Sequence, residues 1–115
     1  MSEFTVSMVK EGDIAIFRIT GYFNDLAGQE FKTQCQKELD SGTILYVLNM
    51  KDTPVINSTG LSMLLDIVVS VIDYNDGKVA LAGLSNLTRN ALRMTGVLSL
   101  CQEYPNEAEA IASLK

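Results

Sequence analysis

The sequence predicts an α/β domain, with a mainly parallel sheet, an antiparallel edge and helices packed on the sheet. Three observations carry this. Two alternating runs flank a glycine turn at the start, two almost unbroken apolar runs of strand length follow, and segments with a helical apolar period alternate with them. With 115 residues, 47% of them hydrophobic, the chain suits one domain with a full core, and residues 1–115 are read as that domain.

Phe4, Val6 and Met8, then Ile14, Ile16, Arg18 and Thr20, alternate around Glu11-Gly12-Asp13, while Ala15, Phe17 and Ile19 fill a second face. The pattern predicts a β-hairpin ended by Gly21. Asn24 or Asp25 can cap a helix running to Asp40, on which Ala27, Phe31, Cys35 and Leu39 recur at i, i+4, i+8 and i+12. Ser41-Gly42 stops it. Thr43 to Met50 is an almost unbroken apolar run, as expected of a central strand covered on both faces. Lys51 to Asn57 is a polar loop broken by Pro54, which disfavours a continued ladder.

A helix from Ser58 to about Asn75 follows, closed by Asp76-Gly77. Leu61, Leu64, Leu65, Val68 and Ile72 form one stripe; Met63, Ile67, Val71 and Tyr74 form a second beside it. Only Ser62, Asp66, Ser70 and Asp73 mark a solvated face. The apolar arc is about 220°, against the ~100° with which a surface helix covers a sheet. Either a neighbouring helix or a partner must cover the second stripe. Lys78 to Ala82 predicts another buried strand, ended by Gly83. Asn86 can cap a third helix with Leu87, Ala91, Leu92 and Met94 inward and Arg89 and Arg93 outward, ended by Gly96. Leu98, Leu100 and Cys101 suggest a short last strand, and Pro105-Asn106 starts a terminal helix with Ala108, Ile111, Ala112 and Leu114.

Composition narrows the function. A net charge of -5 without any Lys/Arg run argues against nucleic acid, whose phosphates require clustered cations. Cys35 and Cys101 lie in no metal-binding spacing and the chain has no histidine, so neither a metal nor a catalytic triad is expected. No GxxxxGK[ST] occurs and no GxGxxG follows a strand. Glu30, Glu38, Asp66 and Asp73 read as solvated helix surface rather than an acid/base pair. The start lacks the pattern of a signal peptide, and the most apolar helix carries too many polar residues to span a membrane. The expectation is a cytoplasmic binding module, not an enzyme, with no cofactor.

One stretch stands out for function, Ile56 to Leu65, where a polar cluster opens the most apolar helix. Ser58 or Thr59 can cap that helix, since a hydroxyl there accepts a hydrogen bond from a first-turn N–H. Gly60 admits a close neighbour. A phosphate added to such a hydroxyl would meet free N–H donors in the positive field of the helix start. The same features would also suit an anion cradle for a small ligand or nucleotide.

The run Val47-Leu48-Asn49-Met50 followed by Asn57-Ser58-Thr59-Gly60-Leu61 resembles the STAS family of bacterial anti-sigma factor antagonists, in motif and in spacing. Gly21, Gly83, the segment Leu92 to Leu100 and the run Asn106 to Ala110 extend the likeness over nearly the whole chain. The resemblance implies a four- to five-stranded mixed sheet with helices packed on one face. It implies binding to an anti-sigma factor that is itself a serine kinase, so that the sigma factor is freed, and release on phosphorylation of Ser58. A serine phosphatase and a homodimer fit the same picture. Partner contacts would fall at Asn24, Asn57, Ser58, Thr59, Gly60, Leu61, Met63 and Ile67. One departure is specific to this chain: the family's acidic positions are Asn24, Asn49 and Asn57 here, which weakens the negative field around Ser58. A non-phosphorylated STAS scaffold is therefore the second reading.

Overall fold

A computed structural model describes residues 3–115; Met1 and Ser2, part of the expected domain, lie outside the described residues. Strands β1 (Phe4–Glu11) and β2 (Ile14–Gly21) form the expected hairpin, with Val6 opposite Ile19 and Gly12 taking the left-handed turn conformation at φ +59°. Next, β2 pairs in parallel with β3 (Leu45–Asp52), β3 with β4 (Lys78–Ala82) and β4 with β5 (Gln102–Tyr104). The spatial order is β1-β2-β3-β4-β5, a mixed five-stranded sheet.

Parallel neighbours need crossovers, and helices supply them. α1 (Asp25–Asp40) joins β2 to β3, and α2 (Ser58–Val69) joins β3 to β4 through a π-turn at Ser70–Tyr74. Between β4 and β5 lie α3 (Asn86–Met94) and the short α4 (Val97–Leu100), and α5 (Glu107–Leu114) ends the chain. Because α1, α2, α3 and α5 each follow a strand, their N-termini all lie at the carboxyl ends of those strands.

Alternation along β2 and β3 divides the core. Ala15, Phe17 and Ile19, with Tyr46, Leu48 and Met50, face a layer built from Phe31 and Cys35 of α1, Leu64, Ile67 and Val68 of α2, Leu92 and Val97. Phe31 lies edge-on to Phe17 and Phe23, ring centroids 5.5 and 5.8 Å apart, an arrangement that suits the ring quadrupoles. Ile14, Ile16, Val47, Ala80 and Ala82 face the other way and meet Ala110, Ile111 and Leu114 of α5. The expected one-sided helix layer therefore holds for α1 to α4, while α5 covers the opposite face. This is the second cover that the apolar run in β3 called for.

Several expectations are corrected at their edges. Leu98 and Leu100 belong to α4, not to a strand. Gly96, at φ +88°, ends α3 and lets a new helical turn begin at once, so the strand starts at Gln102. Leu87 and Met94 point outward, 68% and 87% exposed, because α3 turns only Thr88 and Leu92 fully inward. The cap of α3 is Ser85, one residue before Asn86; its Oγ accepts from Thr88 N at 3.1 Å. Tyr74 is 80% exposed, since the wider π-turn slips the helical register that would have carried it inward.

The second stripe of α2 is covered by α1, and two glycines line the contact. A Cβ on Gly28 would lie 2.8 Å from Met63 Sδ, and one on Gly60 2.3 Å from the carbonyl oxygen of Phe23. The Met63 side chain can move away from a methyl on Gly28, whereas the backbone of Phe23 cannot from one on Gly60, so Gly60 is what sets how closely α2 meets the chain entering α1.

α5 is fastened at its first residue. Arg18 Nε and Nη2 donate to the two carboxylate oxygens of Glu107, both at 2.9 Å, and Asn49 Nδ2 donates to Oε1 at 3.0 Å. The hydrogen bonds from Arg18 outweigh desolvation and hold the Glu107 carboxyl below its usual pKa. A depressed pKa contributes stability that is present above the unfolded value, ~4.3, and is lost as pH falls through the folded one.

Two outcomes follow from this packing. Gly60→Ala should destabilise the fold by about 2 kcal/mol in urea unfolding, because the added methyl meets backbone that cannot give way. Asn49→Asp would set a second carboxylate against Glu107 and should cost roughly 1–3 kcal/mol at pH 7. That deficit should shrink as pH falls toward 4, where one of the pair takes up a proton; a deficit constant with pH would show that the two carboxylates avoid each other.

Candidate functional site

The loop from Thr53 to Asn57 is fixed before it delivers Ser58. Thr53, fully buried, donates from Oγ1 to the carbonyl of Ile19 at 2.8 Å, and its N–H donates to Met50 O at 3.0 Å. On one side, Phe23 N donates to Val55 O at 3.0 Å and Asn57 N to Phe23 O at 3.1 Å, closing an isolated parallel bridge between Phe23 and Ile56. On the other side, Ser85 Oγ donates to Pro54 O at 3.3 Å and Thr88 Oγ1 to Thr53 O at 3.2 Å. The starts of α1 and α3 thus hold the loop between them, and buried backbone groups find partners that a free loop would take from water.

The helix cap is Asn57, not Ser58 or Thr59. Asn57 has extended backbone, and its Oδ1 accepts from Gly60 N at 2.8 Å. Ser58 becomes the first residue inside the helix. It and Thr59 are exposed, and among the described residues neither hydroxyl has a hydrogen-bond partner. The hydroxyl of Ser58 therefore stands in water beside first-turn N–H groups that have no intrahelical acceptor.

All three asparagines perform the same local task. Asn24 Oδ1 accepts from Ala27 N at 3.0 Å as the cap of α1, and Asn49 Oδ1 accepts from Lys51 N at 3.1 Å. An amide oxygen supplies the acceptor that a carboxylate would, without its charge. The cap geometry is kept, and the field at Ser58 is that of the helix starts with little carboxylate to offset it.

The expected contact residues divide. Asn24, Asn57, Ser58, Thr59 and Gly60 come together where α1 and α2 begin. Gly60 is buried against Phe23, Leu61 is half-buried against the core, and Met63 is half-buried beside Gly28. Ile67 is 3% exposed and packs into the core, so its side chain does not reach a docking surface. Leu26 and Val55 are exposed, which no pattern in the sequence signals for Val55, and Leu87, expected inward, is exposed as well. Leu26 carries a signal in retrospect: it falls one position off the inward stripe that begins at Ala27.

Chemistry at the site is that of a lone hydroxyl. Among the described residues no group of Cys, Asp and Glu is placed to hold a metal ion. Burial pushes both thiols up, Cys101 to about 12, so neither is a thiolate at neutral pH. A groove of about 690 Å³ lies on the α5 side among Arg18, Asn49, Lys51, Asp52 and Glu107, and Ser58 is not among its lining residues. Among the described residues no helix is long and apolar enough to cross a membrane.

The TM1081 protein of Thermotoga maritima, a proposed anti-sigma factor antagonist, superposes with a TM-score of 0.82 at 20% identity, covering 95% of this chain and 93% of that one. The Bacillus cell fate determinant SpoIIAA in its phosphorylated form gives 0.75 at 18% identity, covering 98% of this chain and 100% of that one. A sulfate transporter family protein from Wolinella succinogenes gives 0.79 at 20% identity, covering 92% and 88%. At these identities the structures speak for the fold alone. Over residues 5–110 the sequence itself matches the STAS domain, and the chain belongs to the STAS domain family.

Proposed function

We propose that this domain is an anti-sigma factor antagonist: it binds an anti-sigma factor that has serine-kinase activity, frees the sigma factor, and is released when Ser58 is phosphorylated. The observation that carries the reading is the exposed, unpartnered hydroxyl of Ser58 at the first position of α2, on a loop fixed from both sides. A phosphorylated SpoIIAA among the structural neighbours supports it.

The physics separates binding from folding. A phosphate on Ser58 adds about -1.5 to -2 charges at pH 7 beside orphan N–H donors, which stabilise it where it stands. Enclosed in an interface, the same charge would lose its water, at a cost of several kcal/mol unless the partner supplied cations. Modification would thus leave the fold intact and weaken the complex. A serine phosphatase would restore the hydroxyl, and the cycle would run in the cytoplasm, where sigma factors act.

The neutral caps Asn24 and Asn57 favour one second reading, a STAS scaffold that docks without being phosphorylated. The two readings part in a single set of measurements. Incubation with the partner kinase and ATP should add one phosphate, and Ser58→Ala should block it; equal labelling of the variant would place the acceptor elsewhere. Ser58→Glu should weaken binding at least tenfold, about 1.4 kcal/mol, under the switch. A change within about threefold would favour the scaffold.

A further inference from the structure

We propose that β1 is an interface for a second copy of this chain: two domains join edge to edge, β1 against β1, antiparallel, with Val6 facing Val6 of the second copy. This interface is independent of the role of Ser58.

The sheet begins at β1, so this strand has one neighbour and its other edge is open. The two-residue turn at Gly12-Asp13 makes Glu11 and Ile14 a hydrogen-bonded pair, and the alternation of an antiparallel ladder then gives the backbone groups of Val9, Ser7 and Thr5 to β2. Phe4, Val6, Met8 and Lys10 turn their N–H and C=O groups outward. Gln34 of α1 bears this out, since its Nε2 donates to Val6 O at 2.9 Å; the other outward groups have no protein partner among the described residues. Natural edge strands of this length are blunted by lysine, proline or a bulge. From Phe4 to Val9 there is none of these: the run is uncharged and its register against β2 is unbroken.

What the edge accepts is set by its own sequence. An antiparallel edge is complementary to its copy across a two-fold axis, because each outward N–H then meets an outward C=O. With Val6 opposite Val6, Phe4 falls opposite Met8, and Thr5 opposite Ser7, of the second copy. The apolar pairs share the face that packs on the helix layer, where Phe4, Val6 and Met8 are half-buried, and the hydroxyl pairs share the exposed face. These are favourable cross-strand pairs, and no like charges meet. A slide of two residues would set Glu3 against Glu11. About six backbone hydrogen bonds form, with Val6 O exchanging Gln34 for Val6 N of the second copy. Gln34 keeps its bond to Glu30 Oε2 at 2.7 Å. The opposite edge, β5, has three residues, so pairing of β1 with β5 of another copy would engage fewer bonds and leave an open chain. Pairing of β1 with itself closes at two domains.

Strand addition buries little surface, so the dimer is weak and is sought by sedimentation velocity of the purified domain between about 10 μM and 1 mM. Thr5→Lys with Ser7→Lys, at two exposed positions, sets lysine against lysine across the axis and should raise the dimer dissociation constant at least about tenfold. Thr5→Lys with Ser7→Glu sets opposite charges against each other and should bring it back to within about threefold of wild type. Thermal unfolding checks that both variants are folded. A second reading needs no variant: in the wild-type domain the amides of Val6 and Met8 should gain protection from hydrogen exchange as concentration rises, while that of Ser7, bonded to β2, is protected throughout. A monomer at every concentration, or a dimer that the two lysines leave unchanged, would overturn the interface. A dimer weakened equally by both variants would overturn the register on which it rests.

Discussion

Gly60 stands against the carbonyl of Phe23 with no room for a methyl group, and much of the molecule depends on that contact. It brings the first turn of α2 onto the chain entering α1, so the two helices close over one layer of the sheet, with Ile67 and Val68 of α2 in the core. It also fixes where Ser58 can be. With Gly60 pressed inward, the residues one and two positions before it on the helix are turned to solvent, and the hydroxyl is presented by packing rather than by a flexible loop. Display and burial on α2 are thus two sides of one constraint.

Much of this was legible in the sequence, for reasons that differ by element. The hairpin and the strands β3 and β4 carry unambiguous patterns, since period two and unbroken apolar runs of strand length have few other uses. The four residues at Val97 to Leu100 do not: a spacing of two between leucines is equally a strand face or a single helical turn, and a left-handed Gly96 decided the matter. The width of the apolar arc on α2 was visible, but whether α1 or a partner covered it depended on how closely two helices approach. That distance is set chiefly by Gly60 against the backbone of Phe23, a contact between residues far apart in the sequence. Capping showed the same limit. Asn57, Ser58 and Thr59 are all capable caps, and the choice among them rests on which one has extended backbone.

The asparagines show how a site can keep its shape while changing its field. At Asn24 and Asn57 the amide oxygen makes the cap bond that an acid would make. At Asn49 the substitution has a further use, because the Nδ2 group donates to Glu107 while Oδ1 accepts from Lys51 N. A carboxylate could do only the second. The neutral residue at this position belongs with Arg18 and Glu107 as one structural unit, and the fastening of α5 is tied to it.

The two faces of the sheet are unequal in a way that bears on local opening. α5 contributes one fully buried side chain, Ala110, and an ionic fastening at its N-terminus, whereas α1 and α2 share an aromatic core. In native-state hydrogen exchange, amides of α5 would be the first of the long helices to lose protection, by a sub-global opening that leaves Phe31, Val68 and the α1–α2 contact closed. Its excursion would uncover Val47 and Ala80 while Ser58 kept its place. The domain can therefore breathe on one side of its sheet and hold the edge that carries Ser58 still on the other.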